Sequence, residues 1–419
     1  MKRKLAILLA LVLIVAAFTG CSGGRGNKTE EPFKVGAIYP TSGSNALLGQ
    51  QCLDAVKIAV DFINERGGVQ GRKVELNVAD APDPTAATTE AERLIDQKGV
   101  QVIFGSLSSG NALAIAGVAE KSGVTLVESG GIVDELTDRG FKNVFRILDK
   151  GSRRGAKGVE YTAEALAEKL GISVVDLKVA IIHEDSSYGT CVADGVEAKA
   201  NELGMQVVAR EHYSTTIADM SSLVMKIKNG TPDILFSVNY IPDAVLLVDT
   251  LRQYEAVPKV FMGLGAGTTN PQFAKDVGSD SDGMFCTDMP TNLPIEFFDS
   301  DPELKKVVEE FRAAFVAKHP DLGMPTIAAE AAFAGAYTFM HDVLPNAESF
   351  DSEGIREAAI NTKLSLTALG FGWDVREDGQ NYDAAANINQ WQGGRVITIY
   401  PEYMKNGEAI NIPLPIAKI

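Results

Sequence analysis

Residues 33–68 read FKVGAIYPTSGSNALLGQQCLDAVKIAVDFINERGG, and this stretch contains the unit that sets the fold class. The apolar run at 33–38 predicts a buried β-strand. Beyond a polar loop, apolar residues recur at spacings of three, four and three, at Leu53, Val56, Val60 and Ile63. This spacing places them on one helix face, and Gly67-Gly68 ends the helix. The stretch therefore predicts a strand followed by a helix that covers one face of a sheet.

The same alternation continues along the chain. Further strands are predicted at 74–78, 102–104, 124–127, 179–182, 206–209, 234–238 and 260–262. Further helices are predicted at 85–98, 111–122, 155–169, 189–203, 217–229, 242–255, 302–318, 327–344 and 352–361. This pattern is typical of an α/β protein with parallel sheets. The alternation restarts after about residue 148, which together with the length of the chain predicts a second sheet and a second lobe.

The amino terminus has the pattern of an export signal. Three cations at residues 2–4 precede an uncharged run at 5–20, which is short for a membrane span of about 20 residues. The run ends in Phe18-Thr19-Gly20-Cys21 and resembles a bacterial lipoprotein signal, in which the cysteine is acylated and becomes the mature N-terminus. A plain transmembrane anchor with an incidental Cys21 is the alternative. Residues 1–20 are then the signal peptide and 21–32 a flexible Gly-rich tether.

Composition narrows the function further. The chain is 45% apolar and 22% charged, as expected for a globular protein, and its formal charge is −16. Loss of the three leader cations makes the mature charge about −19, which disfavours nucleic acid as a partner. After Cys21, three cysteines remain, at positions 52, 191 and 286. Their spacing fits no zinc site, and burial as small hydrophobic residues is favoured over a disulfide.

Ligands of open α/β sheets bind beyond the carboxyl ends of the strands, so the loops there are the candidate site. Ser108-Ser109-Gly110 could receive a carboxylate at a helix N-terminus, or Ser could simply cap the helix. Gly130-Gly131 allows close approach to the backbone, or forms a tight turn. Tyr188 and Tyr240 follow strands of the second sheet and could contact a ligand, although packing explains either residue alone.

Catalytic motifs are missing from these loops. Gly263, Gly265 and Gly267 are spaced G-x-G-x-G, which differs from the dinucleotide-binding pattern. The sequence contains no phosphate-binding Gly-Lys-Ser/Thr, no zinc-protease motif and no G-x-S-x-G elbow. The four histidines are scattered along the chain. We therefore expect ligand binding without turnover, and neither a cofactor nor a metal.

Several motifs occur together in the order of a known family. They are VGAIYPTSG at 35–43, FINERGGVQGR at 62–72, DELTDRG at 134–140, NVFR at 143–146 and DSSYG at 185–189. Over residues 33–400 the chain resembles the substrate-binding proteins of branched-chain amino acid ABC transporters, the leucine/isoleucine/valine-binding type.

The resemblance implies a type I periplasmic binding fold: two Rossmann-like lobes, joined by three crossovers, that close on a small solute. Lobe 1 would comprise 33–148 and 290–365, and lobe 2 would comprise 149–289 and 366–419. The ligand carboxylate would be held by the residues that match the family's first-lobe loops, which are Ser109, Gly110, Gly130 and Gly131. Leu48 stands where the family often has an aromatic residue, and Tyr188 and Tyr240 match residues of the closing lobe.

Two departures from the family concern the ligand's ammonium group. Gly265 aligns with the glutamate that binds it, and Ile132 replaces a hydroxyl residue. An unpaired buried charge costs several kcal/mol, so either another acid substitutes or the ligand has no ammonium group at that position. The candidate substitutes are Glu128, Asp185 and Glu330. A cysteine pair of some members is also replaced, by Pro82 and Ser108, so that disulfide is not expected.

The favoured interpretation is a lipid-anchored receptor outside the cytoplasm that passes a small carboxylate, an amino acid or a related compound, to an ABC permease. A sensor with the same fold, which signals ligand occupancy to a membrane partner, is the alternative. An enzyme on this scaffold is disfavoured for want of a nucleophile, a metal set or a phosphate loop.

Overall fold

The computed structural model describes residues 31–415, which form two β-sheets covered by helices. The strands are β1 Phe33–Tyr39, β2 Val74–Asp80, β3 Val102–Gly105, β4 Thr125–Glu128, β5 Val144–Arg146, β6 Lys178–Glu184, β7 Gln206–Tyr213, β8 Ile234–Val238, β9 Val260–Leu264, β10 Phe285–Asp288, β11 Asn387–Gln392 and β12 Arg395–Tyr400. The first sheet has the order β2-β1-β3-β4-β5, and the second has the order β12-β11-β10-β9-β8-β6-β7. All eight strands predicted from the sequence are present, which confirms an α/β fold with two lobes.

The helices follow the predicted segments and add three short ones, α4, α10 and α11. Their bounds are α1 Ala46–Glu65, α2 Pro84–Arg93, α3 Ser109–Ser122, α4 Glu135–Asp138, α5 Gly151–Tyr161, α6 Ala167–Leu170, α7 Ser187–Glu202, α8 Ser221–Gly230, α9 Ile241–Gln253, α10 Ala266–Thr269, α11 Pro271–Val277, α12 Pro302–Lys318, α13 Ile327–Thr338 and α14 Ser352–Asn361. Short π-helical segments continue α2, α5 and α13.

The first sheet is parallel throughout, but the second is not. Strands β6 to β10 are parallel, whereas β11 pairs antiparallel with both β10 and β12. The second sheet is therefore parallel except at this edge, which the sequence did not predict. Gly393 and Gly394 connect β11 to β12 with φ of 57° and 73°. Positive φ at both central residues is typical of a two-residue hairpin turn, which needs no crossover helix.

The chain crosses three times between the two sheets. After β5 it enters the second sheet; after β10 it returns, and α13 packs on α1 of the first sheet, with Phe62 and Phe333 edge to face at 5.9 Å. Before β11 it crosses again. Residues 379–381 still form hydrogen bonds with β5: Arg146 N donates to Gly379 O at 2.8 Å. We therefore propose to place the last crossover near residue 386 rather than at 365, and to keep the other lobe boundaries.

The cysteines agree with the expectation that they form no disulfide. Cys52, Cys191 and Cys286 are all free thiols; Cys52 and Cys286 are buried, whereas Cys191 is partly exposed. Burial raises the pKa of the Cys191 thiol to about 12, so this side chain is not a reactive thiolate. Within residues 31–415, no helix is long and apolar enough to cross a membrane. The predicted signal, Cys21 and most of the tether lie outside the described residues.

Helices α5 and α7 of the second lobe approach each other at two glycines. A β-carbon added at Gly155 would lie 2.2 Å from the carbonyl oxygen of Val192, and one added at Gly195 would lie 2.1 Å from that of Ser152. Both contacts are to backbone, which cannot rotate away as a side chain can. The absence of a side chain at these positions therefore sets the distance between the two helices.

We predict that Gly155→Ala lowers the free energy of unfolding by about 1–3 kcal/mol, because the new methyl group forces α5 away from α7. Gly117→Ala is the matched control: Gly117 is exposed in α3 with no neighbour within 4 Å. The control should gain about 0.5–1 kcal/mol from helix propensity. Urea unfolding of both variants measures the effect, and equal stability of the two would contradict the close approach.

Candidate functional site

The carboxyl ends of the two sheets face each other across a cavity of about 40 Å³. The residues that line it include Ser109, Ser129, Gly130 and Ile132 from the first lobe and Arg154, Tyr188, Tyr240 and Asp288 from the second. Parallel strands bring their carboxyl ends to one edge, so loops far apart in sequence meet here. The free volume holds little more than a water molecule, so the two lobes lie close together in this structure.

Five of the nine predicted ligand-binding residues line this cavity, and they are Ser109, Gly130, Ile132, Tyr188 and Tyr240. Gly110, Gly131 and Gly265 belong to the same loops but do not line it. Leu48 lines a separate groove of about 350 Å³ between the lobes, where it faces Ile241 and Pro242 of the second lobe. The first group thus lines a small chamber, and Leu48 belongs to a larger opening.

Ser108 and Ser109 divide the two roles that the sequence left open. The Ser108 side chain caps α3 by accepting a hydrogen bond from Asn111 N at 3.3 Å. The Ser109 hydroxyl oxygen accepts from Ile132 N and Val133 N, both at 3.2 Å, and so ties this loop to the next one. A hydroxyl that accepts two hydrogen bonds still has its own hydrogen to donate. Ser109 can therefore offer a donor to a ligand in the cavity.

Glu128 occupies the backbone amides that were expected to hold a ligand carboxylate. Its Oε1 accepts from Ser106 N, Gly130 N and Gly131 N, each at 2.7 Å. Burial raises the pKa of Glu128, and these hydrogen bonds act in the opposite direction. A β-carbon at Gly130 would lie 2.4 Å from Leu107 Cα, so only glycine fits. In this structure Gly130 therefore forms part of the cavity wall, and the amides of Gly130 and Gly131 are already satisfied.

Tyr188 fills the space beside Gly265. The Tyr188 hydroxyl donates to Leu264 O at 2.6 Å, and a β-carbon at Gly265 would lie 2.4 Å from that hydroxyl oxygen. The φ of Gly265 is also +91°, a value that side chains disfavour. A glutamate at position 265 would consequently displace Tyr188. The glycine and the tyrosine are a matched pair, which gives the departure at Gly265 a steric reason.

Tyr240 completes the aromatic wall with its ring centroid 5.5 Å from that of Tyr188. Its hydroxyl has no hydrogen-bond partner among the described residues, whereas its backbone N–H donates to Asp243 Oδ2 at 3.3 Å. The Tyr213 hydroxyl donates to the same oxygen at 2.6 Å. Burial raises the pKa of Asp243 to about 6, so its carboxylate needs both donors. Asp243 thereby fixes the start of the helix that carries Tyr240.

The sequence did not reveal a buried charge cluster on the second-lobe side of the cavity. Arg154 bonds to Asp149 Oδ1 at 2.5 Å through Nη2 and to Asp288 Oδ1 at 2.7 Å through Nη1. Arg154 is 3% exposed and Asp288 1% exposed, and both line the cavity. Burial raises the pKa of Asp288, and the charge of Arg154 opposes that rise. The loop rule would have indicated Asp288 had 285–288 been recognised as a strand.

None of the three acids expected to replace the glutamate lines the cavity. Glu128 is held by the amides described above. Glu330 is buried, and its Oε2 accepts from Thr291 Oγ1 at 2.9 Å and from Asn292 N at 3.1 Å. Asp185 is exposed to solvent. Asp288 is instead the carboxylate that the structure places at the cavity.

Within residues 31–415, no group of three or more His, Cys, Asp or Glu side chains is arranged to hold a metal ion. The charged side chains at the cavity are Arg154 and Asp288, which bond to each other. The arrangement offers hydrogen-bond donors, one basic and one acidic group, and aromatic surface. These are the features of a site that binds a small polar molecule.

The chain is similar to known proteins over most of its length. Residues 32–395 match a family described as periplasmic binding protein. The Leu/Ile/Val-binding protein homolog 7 of Brucella abortus strain 2308 is 34% identical over 371 residues, which cover 88% of this chain and 91% of that protein. The family match covers the first sheet, the second sheet as far as β11 and every residue that lines the cavity.

Two solved structures have the same fold. The leucine-binding protein LivK of Thermotoga maritima is 24% identical with a TM-score of 0.75, covering 88% of this chain and 97% of that one. LivJ of Streptococcus pneumoniae, a branched-chain amino acid transporter substrate-binding protein solved with isoleucine, is 21% identical with a TM-score of 0.72, covering 88% and 100%. The likeness extends to both lobes of the present structure.

We predict that Glu128→Ala destabilises the protein by about 3 kcal/mol, because three buried N–H groups lose their acceptor. Glu128→Gln is the matched control. The three amides all bond to Oε1, and the new amide nitrogen can donate to Ser106 Oγ, which also donates to Ser108 O at 3.0 Å. The control should stay within about 1 kcal/mol of the wild type. Denaturant unfolding distinguishes the two, and a stable alanine variant would show that the amides do not depend on Glu128.

Proposed function

The chain belongs to the periplasmic binding protein family, and we propose that it captures a small carboxylate solute, an amino acid or a related compound, between its lobes for delivery to an ABC permease. The observation that carries the proposal is the cavity lined by both lobes at the carboxyl ends of both sheets. The family consists of substrate-binding transport proteins rather than enzymes. Its branched-chain amino acid transporter type agrees with the resemblance seen in the motifs.

The ligand carboxylate would lie between Ser109 and Arg154. The Ser109 hydroxyl hydrogen is free to donate from the first lobe. A guanidinium has five N–H groups, and three of those of Arg154 bond to Asp149 and Asp288, so two remain for an acceptor on the second lobe. Gly130 and Ile132 would shape the wall on the Ser109 side, and Gly110 and Gly131 belong to the loops that carry it. A solute bound in this way bridges the two lobes.

The rest of the solute would contact the aromatic wall and the opening beside it. Tyr188 and Tyr240 present ring faces and hydroxyl groups to the cavity, and Gly265 leaves the room that Tyr188 occupies. Leu48 and Ile241 line the adjacent groove, which suits an apolar part of the solute. The Leu/Ile/Val-binding name of the Brucella relative supports an amino acid as the solute.

The location of the protein follows from its family and its amino terminus. Proteins of this family act outside the cytoplasm. We further propose that Cys21 is lipidated and that residues 21–32 tether the lobes to the membrane. One fatty acyl chain gives only weak membrane binding, but an acylated cysteine that also carries a diacylglycerol has enough buried hydrocarbon for a stable anchor.

We predict that ligand binding compacts the protein, because each lobe supplies one half of the cavity. The native solute should be released when the purified protein is denatured, and mass spectrometry of the released fraction identifies it. Small-angle scattering of the ligand-stripped protein should then show a smaller radius of gyration after the solute is added back. Release of no small molecule, together with an unchanged radius at saturating amino acid concentrations, would refute the proposal.

We predict that Cys21→Ser moves the protein out of the membrane fraction or leaves the signal uncleaved, because the serine cannot form the thioether to the lipid. Ser22→Ala, one residue further along, is the control and should remain membrane-bound and processed. Cell fractionation and intact-mass measurement read out both properties. A Cys21→Ser protein that is membrane-bound and cleaved at the same site would show that Cys21 is not the anchor.

A further inference from the structure

We propose that Asp288 binds the ammonium group of the solute and so selects zwitterionic amino acids over simple carboxylic acids. The inference rests on the proposed function, since it names the solute class of the same cavity. It assigns to Asp288 the role that a glutamate at position 265 would otherwise have.

Asp288 has one unused acceptor position. Its Oδ1 accepts from Arg154 Nη1 at 2.7 Å and from Met289 N at 2.9 Å, which fills that oxygen. Its Oδ2 accepts from Thr269 Oγ1 at 2.9 Å. A carboxylate oxygen accepts about two hydrogen bonds, so Oδ2 has room for one more donor. Because Asp288 lines the cavity, a donor on the ligand can supply that bond.

The charge of the cluster calls for a cation. Two carboxylates, Asp149 and Asp288, surround the one guanidinium of Arg154, so the three groups together carry one negative charge. Glu128 adds another carboxylate behind the wall formed by Gly130. A simple carboxylate would bring a further negative charge into this buried space. A zwitterion brings none, and its ammonium group offsets the excess charge of the cluster.

Position 265 cannot supply the counter-charge. A side chain there would meet the Tyr188 hydroxyl, which bonds to Leu264 O, and the positive φ of Gly265 disfavours any residue with a β-carbon. Gly265 and Asp288 are close in the fold, since Gly265 N donates to Thr287 O at 2.9 Å, one residue before Asp288. The acidic group at this cavity therefore lies at the end of strand β10, whereas the family's glutamate would lie in the loop after the neighbouring strand β9.

A purely structural role for Asp288 makes a different prediction. If Asp288 served only to orient Arg154, then its loss and the loss of Asp149 would have the same effect. Both would weaken binding of every carboxylate that Arg154 contacts. A role in ammonium binding predicts instead that only Asp288, which lines the cavity, affects the preference for an amino group. The readout is therefore the ratio of two affinities in each variant.

The experiment is isothermal titration calorimetry on ligand-stripped protein. The probes are the twenty free amino acids that occur in proteins. For each one that binds, the second probe is the matching acid with hydrogen in place of the amino group. We expect wild type to bind an amino acid at least tenfold more tightly than its deaminated partner. Asp288→Asn should weaken binding of the amino acid by about ten- to a hundredfold, since a charge-assisted hydrogen bond contributes that factor. It should leave binding of the deaminated acid unchanged or tighten it, because the substitution removes one negative charge from the cluster.

Two further variants separate the alternatives. Asp185→Asn makes the same chemical change at an exposed site and should leave both affinities unchanged. Asp149→Asn alters the other partner of Arg154 and should keep the preference for the amino acid. If Asp288→Asn does not fold, the comparison of the amino acid with its deaminated partner on the wild-type protein still tests whether the cavity recognises the ammonium group.

Three results would overturn the inference. They are equal binding of both probes to wild type, an equal loss for both probes in Asp288→Asn, and no binding of any amino acid. Release of a carboxylate without an amino group from the native protein would likewise exclude ammonium recognition. That last result would leave the proposed capture of a small carboxylate intact, so the two proposals can fail separately.

Discussion

Two buried glutamates hold the loops on which the binding cavity depends. Glu128 ends β4 and accepts hydrogen bonds from three backbone amides. Glu184 ends β6 and accepts from Ser186 N and Gly189 N, both at 2.7 Å. Loops at the end of a buried strand leave amides that water cannot reach, and an unsatisfied buried amide costs free energy. Each lobe supplies one of its own carboxylates to accept hydrogen bonds from these amides. The loops are thus fixed before a ligand arrives, and Ser109 and Tyr188 are held in place by them.

Strands could be predicted from the sequence where apolar runs mark them. The prediction failed for strands that lack such runs. β5 has three residues, and its Arg146 is buried because Gln380 and Val133 O bond to it. β11 reads NINQWQ, and the amide of its Gln390 bonds to Gly283 O and Ile410 O. In both cases distant partners satisfy the polar groups and make burial possible. Hydrophobic periodicity cannot reveal partners that are up to 234 residues away.

The residues that line the candidate cavity were predictable to the same extent and for a related reason. The rule that ligands bind beyond the carboxyl ends of strands located Ser109, Gly130 and Tyr188, because the strands before them were recognised. It missed Asp288, which ends a strand that was not recognised, and Arg154, which lies inside α5 rather than in a loop. The sequence also could not show that Glu128 takes the amides of Gly130 and Gly131, since that depends on side-chain geometry.

The position of the charges connects recognition to lobe closure. Asp149, Arg154 and Asp288 bond to one another near or within the second lobe, so the cluster is complete without a ligand. Closing an empty cleft would remove water from a cluster with one excess negative charge, which is unfavourable. On the proposal made above, a solute that brings an ammonium group would remove that penalty, and its carboxylate would reach Ser109 of the first lobe. A ligand shifts an equilibrium only through its different affinity for the two states. Neutralisation of the cluster in the closed cavity would supply that difference, so the contact proposed to select the solute would also favour closure.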